Sequence, residues 1–93
     1  MTENPIIPAY QVNERGTPRL AFWCPHCEGE HRHGDTGDLI QPRVCDPCNP
    51  RRCPYKHYRL LVLGRVKSLN ALPRMSHGQM RRAIAALTRL AAG

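Results

Sequence analysis

The sequence carries no acidic residue after Asp46, no long apolar run and only five aromatic side chains. Each absence excludes something. A membrane-spanning helix needs roughly 18 or more consecutive apolar residues, and no stretch approaches that. Residues 1–8 lack both the basic start and the apolar core of a secretory signal, so a reducing, cytoplasmic setting is expected. The shortage of aromatics, with nine prolines and seven glycines among 93 residues, means that the chain buries too little apolar surface to be comfortably stable alone. A single small domain of this kind needs a staple, whether disulfides, a metal or a partner.

The missing acids polarise the chain. All seven (Glu3, Glu14, Glu28, Glu30, Asp35, Asp38 and Asp46) lie in residues 1–46, which carry four bases and a net charge of −3. Residues 47–93 hold ten bases and no acid, giving +10 there and +7 for the whole. A polyanionic partner for the second half is the natural expectation. Twelve of the fourteen bases are arginine, whose planar fork suits bidentate contacts to phosphate or carboxylate. A GC-rich genome would account for arginine over lysine, but not for the lack of acids.

Along the chain, residues 1–18 read as an extended N-terminal leader, because Pro5, Pro8 and Pro18 forbid helix and Gly16 marks a turn; a short strand at Ile6–Val12 is compatible. Residues 19–66 read as the folded unit. Arg19–Trp23 forms a strand that delivers the chain to Cys24, Val44 does the same for Cys45, and Tyr58–Val66 is the central strand; Glu28–Asp38, polar and glycine-rich, reads as a loop. Residues 67–75 form a linker. Residues 76–93 form an amphipathic basic helix, capped by Ser76 with Gln79 in the capping-box position. Met80, Ala83, Ile84, Leu87, Leu90 and Ala91 share one face, Arg82 and Arg89 oppose it, and Arg81 lies at the flank.

The chemistry sits in the cysteines. Cys24-Pro25-His26-Cys27 and Cys45-Asp46-Pro47-Cys48 form two C-x2-C pairs separated by 17 residues. Two residues between cysteines allow one tight turn to present both sulfurs to one ion, and two such turns complete a tetrahedral shell for Zn²⁺. An odd count of five cysteines in a reducing setting argues against disulfides. The prolines stiffen each turn, and Gly29 offers a positive-φ exit from the first. His31 and His33 stand four and six residues beyond Cys27, within reach of the same ion, and Cys53 stands five beyond Cys48. The expected shell is Cys24, Cys27, Cys45 and Cys48, with His31 or His33 as alternates; Cys53 is by default a buried thiol and a ligand only if another cysteine is not. Such a site is closed, so zinc would fold the chain rather than carry out a reaction. Trp23, beside a ligand, is expected to shield the metal, His26 to face solvent, and His57 and His77 show no partner.

Two enzymatic readings compete with this one. Cys-Pro-His-Cys also occurs as the redox centre of thioredoxin-fold oxidases, but there the first cysteine opens a helix inside a βαβ unit, and here Glu28–Gly34 has no apolar period. His31, His33, Asp35 and Asp38 are clustered and polar enough for a metal-dependent nuclease. The arrangement expected of His-Asn-His endonucleases around paired C-x2-C motifs is absent.

Trp23-Cys24-Pro25-His26-Cys27, then His31-x-His33-Gly34, then Arg43-Val44 before Cys48, then Pro54-Tyr55, resembles a group of small zinc-ribbon-like proteins of actinobacteria, their phages and mobile elements. The likeness covers about Trp23 to Tyr58, and it implies zinc binding, nucleic acid as a partner and a phage-type setting. The group carries a single cysteine near the position of Cys48, preceded by histidine; the additional Cys45 here leaves open whether a histidine remains a ligand.

Together these readings give a small α+β fold: a zinc ribbon, with a short three-stranded antiparallel sheet and two zinc knuckles, plus a C-terminal helix. The expected function is non-enzymatic nucleic-acid binding, with Arg51, Arg52, Lys56 and Arg59 near the second knuckle and Arg81, Arg82 and Arg89 on the helix contacting phosphates; Tyr55 and Tyr58 are spaced to stack on bases, though packing in the core or sheet is the expected role of Tyr58. The alternative is an adaptor or inhibitor that docks on an acidic surface of a host protein. Neither a membrane nor a small-molecule substrate is expected.

Overall fold

A computed structural model of the chain describes residues 4–44 and 53–92. Five strands, β1 (Ile6–Glu14), β2 (Thr17–Cys24), β3 (Gly29–Gly34), β4 (Ile40–Val44) and β5 (His57–Arg65), precede a 3-10 turn at Leu69–Ala71 and a C-terminal helix, α1 (His77–Ala92). Cys45, Cys48, Arg51 and Arg52 lie outside the described residues.

The strands form one sheet in the order β3-β2-β1-β5-β4. β1 and β2 join through Arg15 and Gly16, both at positive φ (51° and 84°), as a two-residue hairpin of the primed type requires. The Asn13 side chain accepts a hydrogen bond from the Gly16 amide at 2.8 Å and fixes that turn. β2 pairs antiparallel with β3, and β4 with β5, but β1 and β5 run parallel with an irregularity between Ala9 and Tyr10.

The sheet therefore differs from the short three-stranded antiparallel one expected. Residues 6–14, within the segment read as a leader, form its central strand. The stretch Glu28–Asp38, read as a loop, contains β3; as an edge strand it turns only His31 and His33 toward the core side, so it needs no alternation of apolar residues. The small α+β character stands, with one mixed five-stranded sheet and one helix.

Both faces of the sheet are covered. On one, Ile7, Ala9, Leu20, Phe22, Tyr58 and Leu60 pack with Met80 of α1, and Ile84 lies against them. On the other, Val12 and Ala21 pack with Leu72, flanked by Tyr10, Val66 and Leu69 from the connection between β5 and α1. The helix starts as its sequence specifies: the Ser76 amide donates to Gln79 Oε1 at 2.9 Å, and the Gln79 amide donates to Ser76 Oγ at 3.2 Å. Thr88 anchors its far end by accepting the Ile6 amide at 3.0 Å. The apolar face is shorter than expected, because Leu90 is 76% exposed and Ala91 is exposed as well. Those two lie past Thr88, where the helix runs beyond its anchor on β1. Among the described residues, no helix is long and apolar enough to cross a membrane.

Candidate metal centre

β2 alternates its side chains, so Leu20, Phe22 and Cys24 all reach the face covered by α1. The chain then reverses through Pro25 and His26, and β3 returns with His31 directly opposite Phe22. Cys53 stands just ahead of β5 and packs in the same cluster as Cys24 and Phe22. The result is a compact group of Cys24, Cys27, His31 and Cys53, whose ligand atoms all lie within 4.8 Å of one another. Three of the four residues are buried and Cys27 is half-buried.

A tetrahedral zinc with Zn–S distances of about 2.3 Å places its sulfurs about 3.8 Å apart, so sub-ångström to ångström shifts of side chains suffice to close a shell here. The local electrostatics also suit a cation. Burial pushes the Cys24 thiol up to about 12; the neighbouring Cys53 and Cys27 sulfurs add to the rise, while backbone hydrogen bonds from Cys27 and His26 oppose it. Burial is likewise the main cause that raises Cys53. His31 is shifted down by burial alone, which keeps its imidazole neutral and able to coordinate. Three thiolates gathered in a low-dielectric site repel one another, and a divalent cation is the group that offsets that repulsion.

Aromatic packing orients the histidine. The Phe22 ring lies against the His31 ring with centroids 4.6 Å apart and planes 23° from parallel. Tyr58 meets Phe22 edge-on at 5.7 Å. The exit from the first cysteine turn is made by Glu28 at φ 53°, not by Gly29 as the sequence suggests. A glutamate in the left-handed region is strained, so Glu28→Gly is expected to stabilise the folded protein by roughly 0.5–1 kcal/mol. The check is the denaturant midpoint, which should rise without a change in slope.

The other residues singled out from the sequence are dispersed. His33 shares a face with His31 but is engaged elsewhere, with Nε2 at 2.5 Å from the Tyr58 hydroxyl. Asp35 accepts hydrogen bonds from Gln11 at 2.8 Å and from the fully buried Gln41 at 3.1 Å, and Asp38 accepts one from the Thr36 hydroxyl at 3.0 Å. These bonds hold the β3–β4 connection, and among the described residues the group able to hold a metal includes His31 but not His33, Asp35 or Asp38. Trp23 does not cover the cysteines; it projects to the opposite face, where the Arg74 guanidinium lies 4.0 Å over its ring.

Of the bases, Lys56 is exposed, and Arg59 is drawn back to the chain, donating from Nε and Nη2 to the Asn4 carbonyl at 3.1 and 2.8 Å. Arg81, Arg82 and Arg89 are all exposed on α1. Tyr58 is a core residue, fully buried, so of the two tyrosines only the half-buried Tyr55 is placed to meet a ligand.

One part of the site is unmarked in the sequence. Beside the metal centre lies a cleft of about 310 Å³ lined by His26, Pro54, Tyr55, His77, Arg81 and Ile84. His26 is half-buried there, not solvent-facing: its ring meets His77 at 4.4 Å and Tyr55 at 5.4 Å, both edge-on. Three chain segments build this cleft, and no spacing motif joins them. Comparison of the chain with protein-family models, with curated proteins and with solved structures found no match.

Proposed function

We propose that the chain is a small zinc-stabilised module of the zinc-ribbon kind that binds nucleic acid and catalyses no reaction. The observation that carries the metal part is the convergence of Cys24, Cys27, His31 and Cys53 on one buried point. A donor set of three sulfurs and one imidazole nitrogen is that of structural zinc sites, which leave no open position for a substrate. Zinc bound there would neutralise the thiolates and tie the β2–β3 hairpin to the start of β5. Cys24 ends a strand and does not open a helix, which supports a ligand over a redox nucleophile of the thioredoxin kind.

The nucleic-acid part rests on charge. Residues 47–93 carry ten bases and no acid, and α1 presents Arg81, Arg82 and Arg89 to solvent. Phosphates are the partner such a surface fits. The test is binding of random-sequence DNA and RNA by the zinc-loaded protein across a range of salt. Replacing all three helix arginines by alanine is expected to flatten the slope of log affinity against log salt by about 0.9 for each phosphate no longer neutralised on duplex, and about 0.7 on single strands. An absence of binding even at low salt would end this reading.

One observation favours a second reading, a protein-binding adaptor. Leu39, Ile40 and Leu63, where β4 meets β5, are 66%, 39% and 52% exposed. Exposed apolar side chains of this kind are more typical of a protein-binding surface than of a phosphate-binding one. Co-purification with a discrete acidic protein, abolished when Leu39 and Leu63 are changed to serine, would support it over the first.

A further inference from the structure

We propose that the cleft between the metal centre and α1 takes an unstacked nucleobase together with its phosphate, so that the nucleic acid this protein prefers is single-stranded. The inference rests on the nucleic-acid reading above and narrows it. The cleft is lined by three rings, His26, Tyr55 and His77; His26 meets each of the other two edge-on, and neither of these pairs is stacked face to face. Ring faces of this kind accept any base, because every base has a π-face. Ile84 supplies an apolar wall, and among the described residues that line the cleft Arg81 is charged and none is a carboxylate, which suits a phosphate. Arg81 and Tyr55 line the same cleft, so one ligand can meet both the guanidinium and the ring.

Size agrees with this occupant. At about 310 Å³ the cleft is at the small end of ligand pockets, with room for a single base. A duplex keeps its bases stacked inside and offers this site only its phosphates, whereas a single strand can turn a base out into it.

The experiment compares a fluorescein-labelled oligodeoxythymidylate with a blunt oligodeoxyadenylate–oligodeoxythymidylate duplex of the same length, by anisotropy with the zinc-loaded full chain. The wild-type protein should bind the single strand more tightly. His77→Ala should lower single-strand affinity roughly five- to a hundredfold and leave duplex affinity unchanged, the range expected when one base loses its stacking partner. Arg82→Ala, outside the cleft, should weaken both alike. Helical circular dichroism and zinc content serve as folding controls. Should His77→Ala lose either, the wild-type protein is titrated with adenosine 5′-monophosphate, and amide shifts confined to the surroundings of His26, Tyr55, His77 and Arg81 would support the site. Shifts elsewhere, or none, would overturn it. Equal binding of strand and duplex, unaffected by His77→Ala, overturns the cleft while leaving nucleic-acid binding intact; failure to bind either overturns both.

Discussion

Cys53→Ser is expected to yield a chain that neither retains zinc nor folds. A structural zinc site contributes an apparent ~10–16 kcal/mol at neutral pH, coupled to folding. A domain of this length has a total stability on the order of 5–14 kcal/mol, so removal of a thiolate ligand exceeds the margin. The same collapse should follow when the wild-type protein is treated with a strong chelator, and both are read as loss of amide dispersion in a two-dimensional NMR spectrum. The decisive comparison is Cys45→Ser with Cys48→Ser. If the shell is Cys24, Cys27, His31 and Cys53, that double variant keeps one zinc per chain and a dispersed spectrum. If the double variant loses zinc while Cys53→Ser keeps it, the shell belongs to the two C-x2-C pairs.

Phe22→Ala should destabilise the zinc-loaded protein by about 3–5 kcal/mol, the cost of an aromatic cavity in a core. Phe22 is only 2% exposed; its ring lies against His31 and meets Tyr58 edge-on, and Tyr58 also meets His31 at 6.4 Å. Its removal therefore acts twice, opening a void and releasing the ring that holds a ligand in place. Groups that orient a metal ligand typically change affinity by roughly 10–100-fold when removed. Leu20→Ala is the control, since Leu20 is as deeply buried in the same cluster but opposes His33, not His31. It should cost about 2–5 kcal/mol in denaturation with little change in zinc affinity measured against a competing chelator. Equal weakening of zinc binding in both variants would mean that the stacking on His31 has no orienting role.

The parts of the fold that are legible in the sequence are those with local causes. The Ser76–Gln79 cap and the spacing of Met80, Ile84 and Leu87 specify α1 within a dozen residues, and the structure shows both cap hydrogen bonds. β5, rich in branched and leucine side chains, announces itself in the same way. β3 does not, because Gly-Glu-His-Arg-His-Gly puts its inward positions on histidines, which no hydropathy pattern marks as buried. The candidate site divides along the same line. Cys24, Cys27 and His31 sit on one hairpin and are visible as a motif. Cys53 carries no spacing signal, and what brings it to the others is the pairing of β5 with β1, which joins the two ends of the sheet's sequence. The aromatic cleft is legible in no part of the chain for the same reason.

That parallel pairing also governs the order in which the molecule can assemble. Ile6 lies against Arg59 and Ile7 against Leu60, so the middle of the sheet joins residues more than fifty positions apart. Such pairings close large loops before they return any stabilisation, which slows folding relative to a hairpin-built sheet of equal size. During synthesis the β1–β2–β3 meander, with three of the four grouped residues, emerges from the ribosome before its neighbour β5 does. The nascent hairpin then exposes the flank of β1 until Cys53 and β5 follow, and an early-bound ion on Cys24, Cys27 and His31 would wait on the ribosome for its fourth ligand.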